Sequence, residues 1–82
     1  MKLNKALALR VREILKEKKL TQYKLAQMTG LYHSTLADIL NCKYKTPNFM
    51  NMALIIRELG ISMEEFFKSD LFDFEKLELN EK

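Results

Sequence analysis

The chain has 82 residues, 48% of them hydrophobic and 30% charged, with a net charge of +3. That is the composition of one small globular domain, and a domain of this size buries only about 60–65% of its unfolded surface. A deep catalytic cavity is therefore not expected. A lone cysteine, Cys42, rules out an intramolecular disulfide and suits a reducing cytoplasmic setting. No apolar run approaches the ~20 residues of a membrane span.

The net charge conceals an asymmetry. Met1 to Gly60 carries 11 basic against 4 acidic side chains, a balance of +7, whereas Ile61 to Lys82 carries 3 against 7, a balance of −4. A basic body suits a polyanionic partner, but lysines also solubilise small domains, so charge alone does not decide. Strand alternation is nearly absent and helical periodicity runs through most of the chain.

The first predicted helix spans about Asn4 to Lys18. Its stripe is Leu7, Val11, Ile14 and Lys18, with Arg10, Lys16 and Glu17 elsewhere on the wheel. These interspersed charges read as an amphipathic helix rather than a signal peptide. Thr21 caps a second helix, with Gln22, Tyr23 and Lys24 as its first turn and Leu25, Ala26 and Met28 as its apolar face. Gly30 ends it in a left-handed conformation.

A third helix must begin near Tyr32 or His33, with Leu36, Ile39 and Leu40 inward and His33, Ser34, Ala37, Asp38 and Asn41 outward. Two helices separated by about three residues form a helix-turn-helix. Cys42 to Thr46 is a basic loop. Pro47 suits the first turn of a fourth helix with Thr46 as its cap, and Phe49, Met50, Ala53, Leu54, Ile56 and Arg57 continue it to a stop at Gly60. Ser62 and Glu65 form a capping box for a fifth helix, Met63 to about Lys68. Asp70 to Lys82 reads as an arm with a helical turn around Phe74–Leu77, then a frayed end. The chain thus divides into a helical domain, residues 1–68, and an acidic, aromatic arm, residues 69–82.

The run from Leu20 to Asn41, L-T-Q-Y-K-L-A-Q-M-T-G-L-Y-H-S-T-L-A-D-I-L-N, resembles the helix-turn-helix of the Cro/CI-type (XRE) regulators. The likeness continues through Lys43, Pro47 and Phe49 to L-I-I-R-E-L-G-I-S-M-E-E-F-F, Leu54 to Phe67. It covers about Val11 to Phe67 and implies an all-α, five-helix, lambda-repressor-like domain followed by a short C-terminal arm. Three positions depart from the family pattern. Cys42 stands where a turn glycine is usual, so the loop is expected to turn differently. Leu40 stands where an acid usually pairs with an arginine on the first helix, so Arg12 needs another acceptor or solvent. Tyr32 stands where Ser or Thr usually caps, and is expected to offer its ring or hydroxyl to DNA instead.

The resemblance implies sequence-specific binding to double-stranded DNA by a transcriptional regulator, a repressor by expectation. The bases would be read in the major groove, which admits one helix and presents a distinct edge pattern for each base pair. His33, Ser34, Ala37 and Asp38 are the expected base contacts, with Tyr32 at their edge. Thr21, Gln22, Tyr23, Asn41, Lys43, Tyr44, Lys45, Thr46 and Asn48 are the expected phosphate contacts. A homodimer on a two-fold operator is expected, with half-sites about 34 Å apart. An antitoxin that represses its own operon fits the same pattern.

A protein-interaction adaptor is the reading from another class. The arm and its neighbours, Phe66, Phe67, Leu71, Phe72 and Phe74, would form an apolar patch if exposed, whereas Gln22 and the lysine loop favour DNA. Enzyme chemistry is not expected: no nucleophile–base pair and no phosphate-binding glycine loop is present. No cofactor is called for. His33 with Cys42 falls short of a metal site, and Met50, Met52 and Met63 read as core filling.

Overall fold

The computed structural model describes residues 1–80. Five α-helices follow in chain order: α1 Leu3–Lys18, α2 Gln22–Thr29, α3 His33–Leu40, α4 Phe49–Glu58 and α5 Met63–Phe67. Two short 3-10 turns, Asp70–Phe72 and Phe74–Lys76, complete the described chain. The helices are the five that periodicity predicts.

The apolar stripe of α1 packs against α3; α2 packs against both α3 and α4, and α5 against α4. Val11, Leu25, Leu36, Ile55 and Phe66, one from each helix, are wholly withdrawn from water. Phe66 extends this core into an aromatic cluster. Phe67 meets it edge-on at 4.9 Å between ring centroids, and Phe72 of the first 3-10 turn lies at 5.9 Å. That turn in turn packs on α1.

Two helices end on a left-handed residue that is not glycine. At the end of α1, Lys19 takes φ 56°, while Leu20 N–H donates to the Leu15 carbonyl at 2.9 Å and Lys19 N–H to the Lys16 carbonyl at 3.2 Å. At the end of α3, Cys42 takes φ 58°, while Lys43 N–H donates to the Asp38 carbonyl at 2.9 Å and Cys42 N–H to the Ile39 carbonyl at 3.2 Å. Each is a Schellman motif with its paired six-to-one and five-to-two bonds. The expectation of a different turn at Cys42 is overturned: the cysteine adopts the left-handed conformation usual for glycine. Such a conformation costs an L-residue about 1–2 kcal/mol. The half-buried thiol, packed on the core, offsets part of that. Gly30, by contrast, has open space where a Cβ would project. Its φ of 78° is the whole reason for glycine at the end of α2.

Five other expectations are corrected. The cap of α4 is Asn48, whose Oδ1 accepts from Asn51 N–H at 3.2 Å, not Thr46. Asn caps better than Thr, and Pro47 holds the residue before it in extended backbone. Pro47 accordingly precedes the helix instead of entering its first turn. This start turns Met52, Ile55, Ile56 and Leu59 inward and leaves Met50 68% exposed, so Met52 fills the core while Met50 does not. Met63 lies in the exposed first turn of α5 and is no core filler either. In α2, Met28 is exposed and Thr29 is buried, its hydroxyl donating to the Ala26 carbonyl at 3.0 Å.

The turn expected around Phe74–Leu77 forms at Phe74–Lys76, and beyond it the arm stays paired. Glu78 N–H donates to the Met1 carbonyl at 2.8 Å, and Lys2 and Glu78 form a parallel bridge. The last two residues of the frayed end expected there lie outside the described residues.

Arg10, read from the wheel as a surface position, ties α5 to α1. Its Nε donates to the Phe66 carbonyl at 2.7 Å and its Nη2 to the Glu65 carbonyl at 2.9 Å, with only 14% of the side chain exposed. Its guanidinium also lies 6.0 Å from the Phe66 ring centroid. Arg10→Met keeps the apolar stem and removes both charge-assisted bonds. It should lower stability by about 2–3 kcal/mol and the melting temperature by roughly 10–20 °C, measured by thermal circular dichroism.

Candidate nucleic-acid interface

The site is built from two helix starts. Thr21 is extended, and its Oγ1 accepts from Lys24 N–H at 3.0 Å. Leu25 N–H is taken by the Thr21 carbonyl. The N–H groups of Gln22 and Tyr23 are left without an intrahelical acceptor, as at any helix start, and they carry the positive end of the helix dipole. Tyr32 precedes α3 in extended backbone and, as expected, supplies no side-chain cap. Its ring is 81% exposed.

These two starts share one shallow, open surface lined by Gln22, Tyr23, His33, Ser34 and Ala37. Three of the expected base contacts and two of the expected phosphate contacts therefore lie together, while Leu36, Ile39 and Leu40 hold the opposite side of α3 in the core. One contact here is not evident from residue spacing. The Tyr23 and His33 rings stack with centroids 4.5 Å apart and planes 23° apart. The only available hint is that each aromatic residue falls in the first turn of its helix.

Asp38 sits one turn further along α3. Its Oδ2 accepts from the Tyr44 hydroxyl at 3.4 Å and lies 3.8 Å from Lys43 Nζ. The carboxylate thus joins α3 to the basic loop and offsets the Lys43 charge. The loop is held from the other side by Asn4, whose Nδ2 donates to the Tyr44 carbonyl at 2.8 Å. Lys45 and Thr46 line a separate cleft with Lys2, Leu3, Glu78 and Leu79. The expected phosphate contacts therefore divide: Lys43 and Tyr44 join α3 through Asp38, Lys45 and Thr46 face the start of α1 and the arm, and Asn48 is engaged as the cap of α4.

Arg12 finds the acceptor that Leu40 cannot provide by its side chain. Its Nη2 donates to the Leu40 carbonyl and to Asn41 Oδ1, each at 3.3 Å. A cation at the carbonyl end of α3 also suits the helix dipole. Backbone and amide oxygens have taken the place of the acid usual in the family. Among the described residues there is no group of three or more His, Cys, Asp or Glu side chains placed to hold a metal ion. Nor is any helix among them long and apolar enough to cross a membrane.

Arg12→Met should lower stability by about 0.5–1 kcal/mol, since both bonds are long and the group is solvated. The corresponding drop in melting temperature is a few degrees. Hydrogen exchange should accelerate at the last amides of α3 before it does in α2, and an unchanged rate there would count against the contact.

No curated protein and no solved structure matches the chain. A family model, described as a Cro/C1-type HTH DNA-binding domain, matches residues 10–75. That match spans all five helices except the first turns of α1, together with the first 3-10 turn. The chain belongs to the Cro/C1-type helix-turn-helix DNA-binding domain family.

Proposed function

We propose that this chain is a sequence-specific transcriptional repressor that binds a two-fold DNA operator as a homodimer. The observation that carries the reading is the common surface formed by the starts of α2 and α3, with Gln22, Tyr23, His33, Ser34 and Ala37 side by side. In this reading the open N–H groups of Gln22 and Tyr23, with the Thr21 hydroxyl, hold a phosphate. His33 and Ser34 address base edges, Ala37 packs against a thymine methyl, and Tyr32 stands at the rim. Asn41, Lys43, Tyr44, Lys45, Thr46 and Asn48 serve the flanking backbone.

Asp38 has two tasks here. Its carboxylate orders the Lys43–Tyr44 loop, and its remaining acceptor capacity suits a cytosine amino group. Action is by occupancy of the operator in the cytoplasm, without catalysis and without a cofactor.

The homodimer is supported by exposed apolar side chains outside the group of Gln22, Tyr23, His33, Ser34 and Ala37. Phe49, Met50, Phe74 and Leu79 are each more than half exposed, and in the proposed dimer the second copy covers part of that surface. The adaptor reading draws less support. Phe66 is fully buried and Leu71 and Phe72 are half-buried, so much of the aromatic arm closes the core instead of presenting a patch. An autorepressing antitoxin is the same DNA-binding reading in another genetic setting.

Fluorescence anisotropy with a duplex enriched from a random pool tests the proposal. Raising salt from 50 to 200 mM should weaken binding by three decades or more, as expected for a dimer making about 6–10 phosphate contacts. Gln22→Ala should weaken all duplexes alike, whereas Ser34→Ala should alter which duplex is preferred. Salt-independent binding, or the reverse assignment of the two variants, would overturn the reading.

A further inference from the structure

The Tyr23–His33 stack joins the two helix starts that the proposed function separates into phosphate holding and base reading. His33 is the first residue of α3 and is exposed. A histidine there, with no contact, would sample several rotamers and present its N–H edges in many directions. With its ring centroid 4.5 Å from that of Tyr23 and the planes within 23°, the imidazole is confined to one plane. Offset aromatic stacking at this separation is favourable, and Tyr23, itself 63% exposed, needs no rearrangement to provide it.

We infer that Tyr23 is a positioning residue that aims the His33 ring at one base pair and thereby sets specificity. This inference rests on the DNA-reading proposal above. A hydrogen bond to a guanine N7 or O6 is directional, so a ring confined to one plane discriminates where a free ring would not. The backbone of Tyr23 lies at the start of α2, beside the proposed phosphate site, and its ring lies under the reader. Register on the DNA backbone and orientation of the reading ring are thus coupled through one residue. Ser34 and Ala37 share the surface.

The test uses the full chain as wild type and as Tyr23→Phe, Tyr23→Ala and His33→Ala, each put through selection of duplexes from a random pool and then competition on single-base variants. Wild type and Tyr23→Phe should show the same base preference. Tyr23→Ala and His33→Ala should lose about fivefold to tenfold discrimination, and at the same position. Chemistry supplies an independent readout, because the chain has one histidine. The His33 ring protons should be shifted upfield by the tyrosine ring in wild type and Tyr23→Phe, and should return to ordinary positions in Tyr23→Ala.

The inference is overturned if Tyr23→Ala weakens every duplex by one factor with all preferences intact. It is equally overturned if the two alanine variants lose discrimination at different positions, or if the wild-type ring protons are unshifted. Failure of wild type to enrich any duplex would instead strike the DNA-reading proposal itself. Should Tyr23→Ala not fold, the ring-proton shift and the preference of Tyr23→Leu decide in its place.

Discussion

A helix ends in carbonyl groups that nothing within the helix satisfies, and in this protein α1 meets that need for two of its neighbours. Arg10 grips the last carbonyls of α5 and Arg12 grips the end of α3. The two arginines lie two residues apart, so one helix sets the positions of both α3 and α5. The grip on α5 is short and shielded, the grip on α3 longer and solvated. That difference matches their surroundings: α5 completes the core through Phe66, while α3 carries an exposed face at His33 and Ser34.

With its carbonyl end held, α3 leaves its other end exposed. Its first turn lacks a side-chain cap and opens onto the same surface as the start of α2. Membership of the Cro/C1-type family gives the domain its partner, DNA, and the proposed reading brings that partner to this surface. The arrangement of charge agrees. Asp38 is the one acid in the α3–loop region, and it is occupied by Lys43 and Tyr44 rather than left facing outward alone. An acid near phosphates would otherwise repel them, and here it organises Lys43, a cation that would attract them.

Much of this fold was legible because caps and periodicity are local. Thr21, Gly30 and Ser62 announce their roles by residue type, and the structure uses each as expected. The start of α4 was less legible because Thr46, Pro47 and Asn48 are all plausible there, and the choice depends on which register brings Met52 and Ile55 to the core. Cys42 was misread because intrinsic preference disfavours its left-handed backbone; packing of its side chain on the core is a tertiary contribution that local reasoning does not include. The same limit hid the contacts of the site. Arg12 to Leu40 and Arg10 to Phe66 bridge 28 and 56 residues. The Tyr23–His33 stack requires knowing how closely two helix starts approach. The arm's aromatic residues suggested either core or interface, and burial of Phe66 beside Phe72 places that part of them in the core.

The central claim is that the joined starts of α2 and α3 form the DNA-binding surface. Mapping amide chemical shifts while adding a preferred duplex tests it most directly. The largest changes are expected at Gln22–Lys24, His33–Asp38 and Lys43–Tyr44, with α5 nearly unmoved. Largest changes along residues 70–80 or around Phe49 and Met50, with the first turn of α3 unaffected, would contradict it.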